Sequence, residues 1–383
     1  MKFVILGAGM QGTACAHDLV RNKDTECVTM VDQDADALRR AGKKLSSDLV
    51  ETRTADCVSK EGILEVAGGH DVVISALPYR FNPLAAEAAI EAGASFVDMG
   101  GNIEAVLSEL RLSAAAREAQ VTVVPDCGLA PGLANVLVAD AAGEIEQLQD
   151  VEIRVGGLPE NPRPPWNYRL VFSFEGLINE YTGTAAVLRD WNRTEEPALA
   201  GLEEIVFPEP LGRCEAAFTS GGSSTLPWTF AGRIRNLDYK TVRYPGHFEK
   251  ISALEALGFF ATDDITVGGQ SVAPRDLLRE LFNKHMTFPD DPDLVVLRVV
   301  SRGVHEGKQV RLVHEMMDRQ DQETGLTAMM RTTAFPVSIV AQLIADGSIE
   351  RKGAFPPEQL VPPAALVDGL EERGVFVRKE WKV

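Results

Sequence analysis

The opening residues constrain this chain more than any others. Lys2–Leu6 (KFVIL) is an apolar run the length of one buried strand, followed at once by Gly7-Ala8-Gly9-Met10-Gln11-Gly12 and a helical stretch from Thr13 to about Arg21. A second β-prone run, Val28–Val31, ends on Asp32, twenty residues after the last of those glycines. In a strand–turn–helix of this kind each glycine has its own task. Gly7 permits the tight turn, Gly9 lets the backbone approach a pyrophosphate, and Gly12 lets helix and strand pack closely. The helix N-terminus offers free N–H groups and a partial positive charge to the phosphates. The pattern predicts a dinucleotide site, with Met10 and Gln11 completing the phosphate loop. A carboxylate at position 32 accepts hydrogen bonds from a ribose 2′-OH and repels a 2′-phosphate. Gln33-Asp34 follows it, not an arginine, so NAD is expected as the cofactor in preference to NADP.

The alternation continues through the first third. Thr52–Asp56, Asp71–Ala76, Ser95–Asp98 and Val121–Val124 read as further strands, with helices near Pro83–Ala92 and Ile103–Glu118 between them. Strands alternating with helices imply a parallel, doubly wound α/β sheet, whose ligands bind beyond the carboxyl ends of the strands. Asp32, Gln33, Asp56, Ser75, Ala76, Leu77, Pro78 and Gly128 are therefore the further cofactor contacts expected on that edge, with Asp56 near the adenine. After Asp150 the pattern changes. Val151–Val155, Glu204–Phe207, Ala216–Thr219, Asp238–Tyr244, Leu294–Arg302 and Gln309–Asp318 read as strands, and about 132–142, 184–190, 247–257 and 274–285 as helices. This predicts a second α+β domain on a largely antiparallel or mixed sheet. The expected division is 1–126 for the Rossmann domain, 127–335 for the substrate and oligomerisation domain, and 336–383 for a helical segment returning to the first domain.

Composition narrows the partners. With 45% apolar and 25% charged residues the 383-residue chain has material for a large core. A net charge of −18 argues against nucleic acid or an anionic membrane. Five scattered cysteines without a CxxC pair fit a reducing compartment. The chain opens on a strand, without a leader-like segment, and a cytoplasmic location is expected. His314-Glu315 lacks the second histidine of HExxH, and no metal is expected.

Several longer stretches carry a resemblance. GAGMQG, SALPYRFNPLAAEAAIEAGASFVDMGG, PDCGLAPGLANVL, FSFEGLINEYTG (172–183) and KTVRYPGH (240–247), in this order and spacing, resemble the saccharopine dehydrogenase family, and within it the lysine 6-dehydrogenase branch. The resemblance implies NAD(P)-linked oxidation of an amino acid at a C–N bond, with L-lysine oxidised at its ε-amine to allysine, which cyclises, and with ammonia released. It also implies a homodimer or homotetramer. Saccharopine or a carboxylated polyamine is the alternative substrate, and a non-catalytic NAD sensor the alternative of another class.

Oxidation of an amine by hydride loss sets the remaining requirements. The amine must be neutral, the developing iminium favours a nearby carboxylate, and a substrate carboxylate needs a cationic clamp. Asp98 and Asp126, at neighbouring strand ends, are the candidate acids, with Cys127 beside them as a wall of the nicotinamide site and His247 as a further candidate base. Tyr79 follows a strand-end proline. Arg243 is the candidate clamp, since a guanidinium offers the bidentate geometry that lysine lacks. Glu175, Glu180 and Tyr181 enter as substrate-pocket candidates through the resemblance. Trp166 and Tyr168, in the Pro-rich segment Gly156–Arg169, are candidates to wall the substrate's methylenes.

Overall fold

A computed structural model describes residues 1–288 and 291–382. Its first domain is built on β1 (Lys2–Leu6), β2 (Cys27–Asp32), β3 (Val50–Thr54), β4 (Val72–Ser75), β5 (Ser95–Asp98) and β6 (Thr122–Val124). All are parallel, in the order β6-β5-β4-β1-β2-β3. Phe3–Leu6, Val72–Ser75 and Ser95–Asp98 are buried throughout, as expected of central strands covered by helices on both faces.

The second domain carries β7 (Gln147–Pro159), β8 (Thr184–Arg189), β9 (Asn192–Pro197), β10 (Glu203–Val206), β11 (Arg213–Phe218), β12 (Asn236–Arg243), the small hairpin β13 (Ile265–Val267) and β14 (Gln270–Val272), β15 (Asp293–His305) and β16 (Lys308–Arg319). β17 (Gly353–Ala354) and β18 (Val377–Lys382) close the chain. The main sheet runs β10-β11-β12-β7-β15-β16-β18, with β8 paired to β12 and β9. Only β7 and β12 pair in parallel along that path.

Three expectations are corrected here. The segment 184–190 is a strand, not a helix. Asp190 and Trp191 both have positive φ, 45° and 71°, and form a two-residue hairpin turn in which Arg189 pairs with Asn192. That backbone matches strand twist without the Asn-Gly signature that usually announces it. The helix expected from Pro336 begins at Ala328, capped by the Thr327 side chain on the Met330 N–H, and holds Pro336 in its interior. An interior proline costs about 3 kcal/mol, which burial of nearly the whole helix against the first helix, β4, β5 and β15 offsets. That burial also accounts for its apolar character, since by length and composition alone the helix would span a membrane. Finally, the tail does not simply return to the first domain. β17 extends the Rossmann sheet beside β6, but β18 pairs with β16 in the second sheet.

Candidate active site

The glycine-rich turn has the shape its sequence implies. Gly7 sits at φ 102°, and a Cβ on Gly12 would collide with the Gly7 carbonyl oxygen. Gly9 has open space where a Cβ would lie, and Met10 is exposed. The helix starting at Met10 has no side-chain cap and no acid in its first turn, so its N-terminal donors are left for a phosphate. Asp32 closes the turn. Its Oδ2 accepts from the Ala8 N–H at 2.8 Å and its Oδ1 from the Asp34 N–H at 2.9 Å. Arg39 and Arg40, on the helix after Asp32, are paired with Asp36 at 2.5 Å and Asp34 at 3.6 Å.

The ends of β5 and β6 form the floor of the candidate cleft, on the edge of the sheet that meets the second domain. Asp98 and Asp126 are wholly buried. Asp98 Oδ1 accepts from the Gly100 N–H at 2.6 Å and from the Asp126 N–H at 3.1 Å. Asp126 adopts φ 61°, and its side chain lies under Gly100, where a Cβ would overlap it. From the other domain the Ser224 hydroxyl donates to Asp126 Oδ2. Burial raises both carboxyls. For Asp126 the charge of Asp98 adds to the rise and the Ser224 hydroxyl opposes it; for Asp98 the Glu109 carboxyl and the backbone N–H groups of Asp126 and Gly100 oppose it. Half-buried Met99, Gly100 and Gly101 cover this acid layer.

The wall opposite comes from the second domain. Asn179 Nδ2 donates to the Gly101 carbonyl at 2.9 Å, which sets the end of the Phe174–Glu180 helix on the floor. The next residue, Glu180, keeps 26% of its side chain exposed and accepts from Arg243 at 3.3 Å. Burial pushes its carboxyl up to about 7, against the pull of the guanidinium. Arg243 itself is buried. Its Nε donates to the Tyr181 hydroxyl at 3.0 Å, Nη1 donates to the Val242 carbonyl at 3.0 Å, and the Tyr168 ring stacks 5.0 Å from the guanidinium. Each terminal nitrogen retains one hydrogen beyond these bonds. His247 Nε2 holds the Tyr181 hydroxyl at 2.9 Å.

Thus Tyr181, Tyr168, Arg243, His247 and Glu180 come together, but only Glu180 opens on the cleft. His247 is wholly buried, and burial followed by Arg243 depresses it well below the usual imidazole range, so it is a neutral support for Tyr181 and not a base facing the cleft. Cys127 is also corrected: its thiol donates to the Val124 carbonyl at 3.3 Å, back into the strand, and burial with three nearby acids raises it far above the thiol range. Glu175 lies on the outer face of its helix, paired with Arg279 at 2.8 Å. Trp166 packs on Phe282 at 6.1 Å, behind the Arg243 cluster. Gln11 turns its amide to the Met329 carbonyl, buried Ser75 donates to Asn82 Oδ1, and Gly128 is enclosed beneath the Met99 carbonyl. These three support the site from behind. Tyr79 stands beside Gly101, and Ala76 beneath Gly7. Leu77 and Pro78 lie between them at the end of β4, and Asp56 and Gln33 are exposed beyond β3 and β2. A cavity of about 430 Å³ elsewhere is lined by His17, Asp18, Arg331 and Arg373, none of them on the glycine turn, floor or wall.

Sequence reasoning missed Glu109, Ser224, Asn179 and Glu358. The last accepts from Asn135, Thr225 and Thr229 and anchors the Ser224 segment. For Glu109 one signal existed: it falls three residues after Val106, on the buried face of its helix. The other three act through contacts between distant segments and left none.

Known proteins share this fold. Residues 3–124 match the family model described as the saccharopine dehydrogenase NADP binding domain, and residues 128–375 the saccharopine dehydrogenase C-terminal domain. The saccharopine dehydrogenase [NADP(+), L-glutamate-forming] of Saccharomyces cerevisiae is 21% identical over 98% of both chains. The mitochondrial alpha-aminoadipic semialdehyde synthase of Bos taurus is 22% identical over 98% of this chain but 47% of its own length, so the chain spans about half of that relative. The apo structure of the L-Glu-forming saccharopine dehydrogenase of S. cerevisiae superposes with a TM-score of 0.80 at 18% identity, covering 100% of both chains. With both halves of the chain matched in order and the fold shared from end to end, this protein belongs to the saccharopine dehydrogenase family.

Proposed function

We propose that the chain oxidises an amino acid at a C–N bond with NAD, and that the substrate is L-lysine, attacked at its ε-amine. The observation that carries this is the Glu180–Arg243 pair, set one residue from the contact with the strand-end floor. Arg243, buried behind Glu180, keeps one hydrogen on each terminal nitrogen for a substrate carboxylate that enters beside Glu180, and Glu180, with a carboxyl near neutrality, takes the proton that the ammonium must lose. NAD⁺ supplies the hydride acceptor. Water then adds to the iminium, and allysine, ammonium, NADH and a proton leave; the aldehyde condenses with the α-amine to 1-piperideine-6-carboxylate. Asp98, under the floor, places a negative charge behind the developing cation in a water-poor site, where such a charge acts strongly. Asp32 at the ribose position, with Arg39 and Arg40 paired to acids on their own segment, supports NAD, although the matching family model carries NADP in its description.

Saccharopine is the second reading, favoured by the full-length yeast relative. Among the described residues one guanidinium, Arg243, stands in the wall cluster, which suits one carboxylate better than several. The test is reduced-nicotinamide absorbance with NAD⁺ or NADP⁺ and a panel of lysine, ornithine, diamines and saccharopine, with ammonia assayed in parallel. NADH and ammonia from lysine are expected. Turnover of saccharopine alone, without ammonia, overturns the lysine assignment, and no turnover across the panel overturns the enzymatic reading.

A further inference from the structure

Behind the cleft floor lies a group to which the proposed reaction gives no role. Glu109 projects from the Ile103–Arg111 helix and is wholly buried, and among the described residues no N–H or O–H donates to either of its carboxyl oxygens. The charges that act on it are those of Asp98 and, after it, Asp126. Asp98 is placed differently, since Oδ1 receives two backbone N–H groups while Oδ2 receives none. Two carboxyls can hydrogen-bond to each other only if one carries a proton, and two like charges in contact and out of water do not both persist. The groups facing the pair are Asp126 and Cys127 after β6, with Ser224 and Glu358 beyond Asp126; no cationic side chain among the described residues acts on either member. The proton therefore belongs on the member without N–H donors, and the charge on the member with them.

We propose that Glu109 is a positioning residue of the active site, sharing one proton with Asp98 so that the pair carries a single negative charge, held on Asp98 beneath the Gly100–Gly101 floor. The catalytic side of this inference rests on the amino-acid dehydrogenase reading given above. A single fixed charge favours the iminium that forms over the floor. It also keeps Asp98 Oδ1 on the Gly100 and Asp126 N–H groups, and so holds the floor in shape. A doubly ionised pair would repel itself with no cation to offset it, and a neutral pair would leave the iminium without its counter-charge.

Infrared difference spectra of the full-length wild-type and Glu109→Gln proteins at neutral pH decide where the proton sits, whatever the chain oxidises. The wild-type-minus-variant difference is expected to show the carbonyl stretch of a protonated carboxylic acid as a positive band. Loss of a carboxylate stretch in its place overturns the assignment. The kinetic readout compares two variants. Glu109→Leu removes the donor to Asp98 Oδ2, and its kcat falls on the acid side about 1–2 pH units above the limb of Glu109→Gln, whose amide still donates. Coincident limbs in the two variants overturn the positioning role. If the wild type oxidises no amine but the acid band appears in the difference from Glu109→Gln, the proton assignment stands and the proposed function falls.

Discussion

Glu180→Gln tests the centre of the proposed site, because the variant keeps the shape of the side chain and removes only its titration. The ordinary carboxyl value for this residue is 4.5, and burial pushes it up to about 7 in the folded chain. At about 1.4 kcal/mol per pH unit, the difference corresponds to about 3 kcal/mol. Below about pH 4.5 the group is protonated in both folded and unfolded states, and above about pH 7 it is ionised in both. Between those values the folded chain holds a proton that the unfolded chain has lost, so stability falls as pH rises. Denaturant titrations across that range, followed by the fluorescence of Trp166 in the adjoining cluster, should show the wild type losing about 3 kcal/mol relative to Glu180→Gln. Comparing the two pH dependences cancels the constant effect of leaving Arg243 without its anion. Activity supplies the second measurement. The kcat/KM profile of the wild type should have an acid limb near pH 7, and the variant should lose that limb along with ~10²–10⁴ of the rate. Parallel pH–stability curves, together with an acid limb retained in the variant, would refute the assignment of Glu180 as the base.

The other predictions concern the two ends of the substrates. Asp32→Gly combined with Gln33→Arg should raise kcat/KM with NADP relative to NAD, since Gln33 is exposed just beyond β2 and an arginine there meets a 2′-phosphate; an unchanged ratio sinks the NAD assignment. Arg243→Lys keeps the charge but loses the fork shared by Tyr181, Val242 and Glu180. KM for the amino acid should rise ~10–100-fold, the equivalent of one charge-assisted hydrogen bond, while a simple amine without a carboxylate should be unaffected. Equal changes for both substrates would show Arg243 to be a structural residue.

The legible part of the fold was the part governed by local rules. β1, the glycine turn and β5 follow from short apolar runs and from Gly7 and Gly12, where a Cβ would have nowhere to go. Elements set by long-range packing were not legible. β8 carries a helix-favouring Ala-Ala-Val-Leu, and only pairing with β9 and β12 makes it a strand. The helix holding Pro336 exists because almost every side of it is buried, information that no window of neighbouring residues contains. β18, with five of its six residues exposed, has little hydrophobic pattern of its own and is drawn into place by the edge of β16.

The site divides along the same line, and the division bears on the chemistry. Strand-end position drew attention to Asp98 and Asp126, but position on an edge does not say how deep a side chain lies. In the folded chain the two aspartates form a layer beneath Gly100 and Gly101, and the carboxyl left partly exposed beside them is that of Glu180, at the end of a helix in the other domain. Depth decides role. A wholly buried carboxylate that accepts two N–H groups is a fixed charge, suited to steady a cation above it. A partly exposed carboxyl raised toward neutrality is suited to exchange a proton with a substrate and then with water. On the proposed reading, two acids with separate tasks therefore follow from burial and hydrogen-bond partners, neither of which is written in the local sequence. The contacts of Asn179 with Gly101 and of Ser224 with Asp126 join the two layers, so the geometry of the acid pair depends on how the domains meet as much as on the strands that carry it.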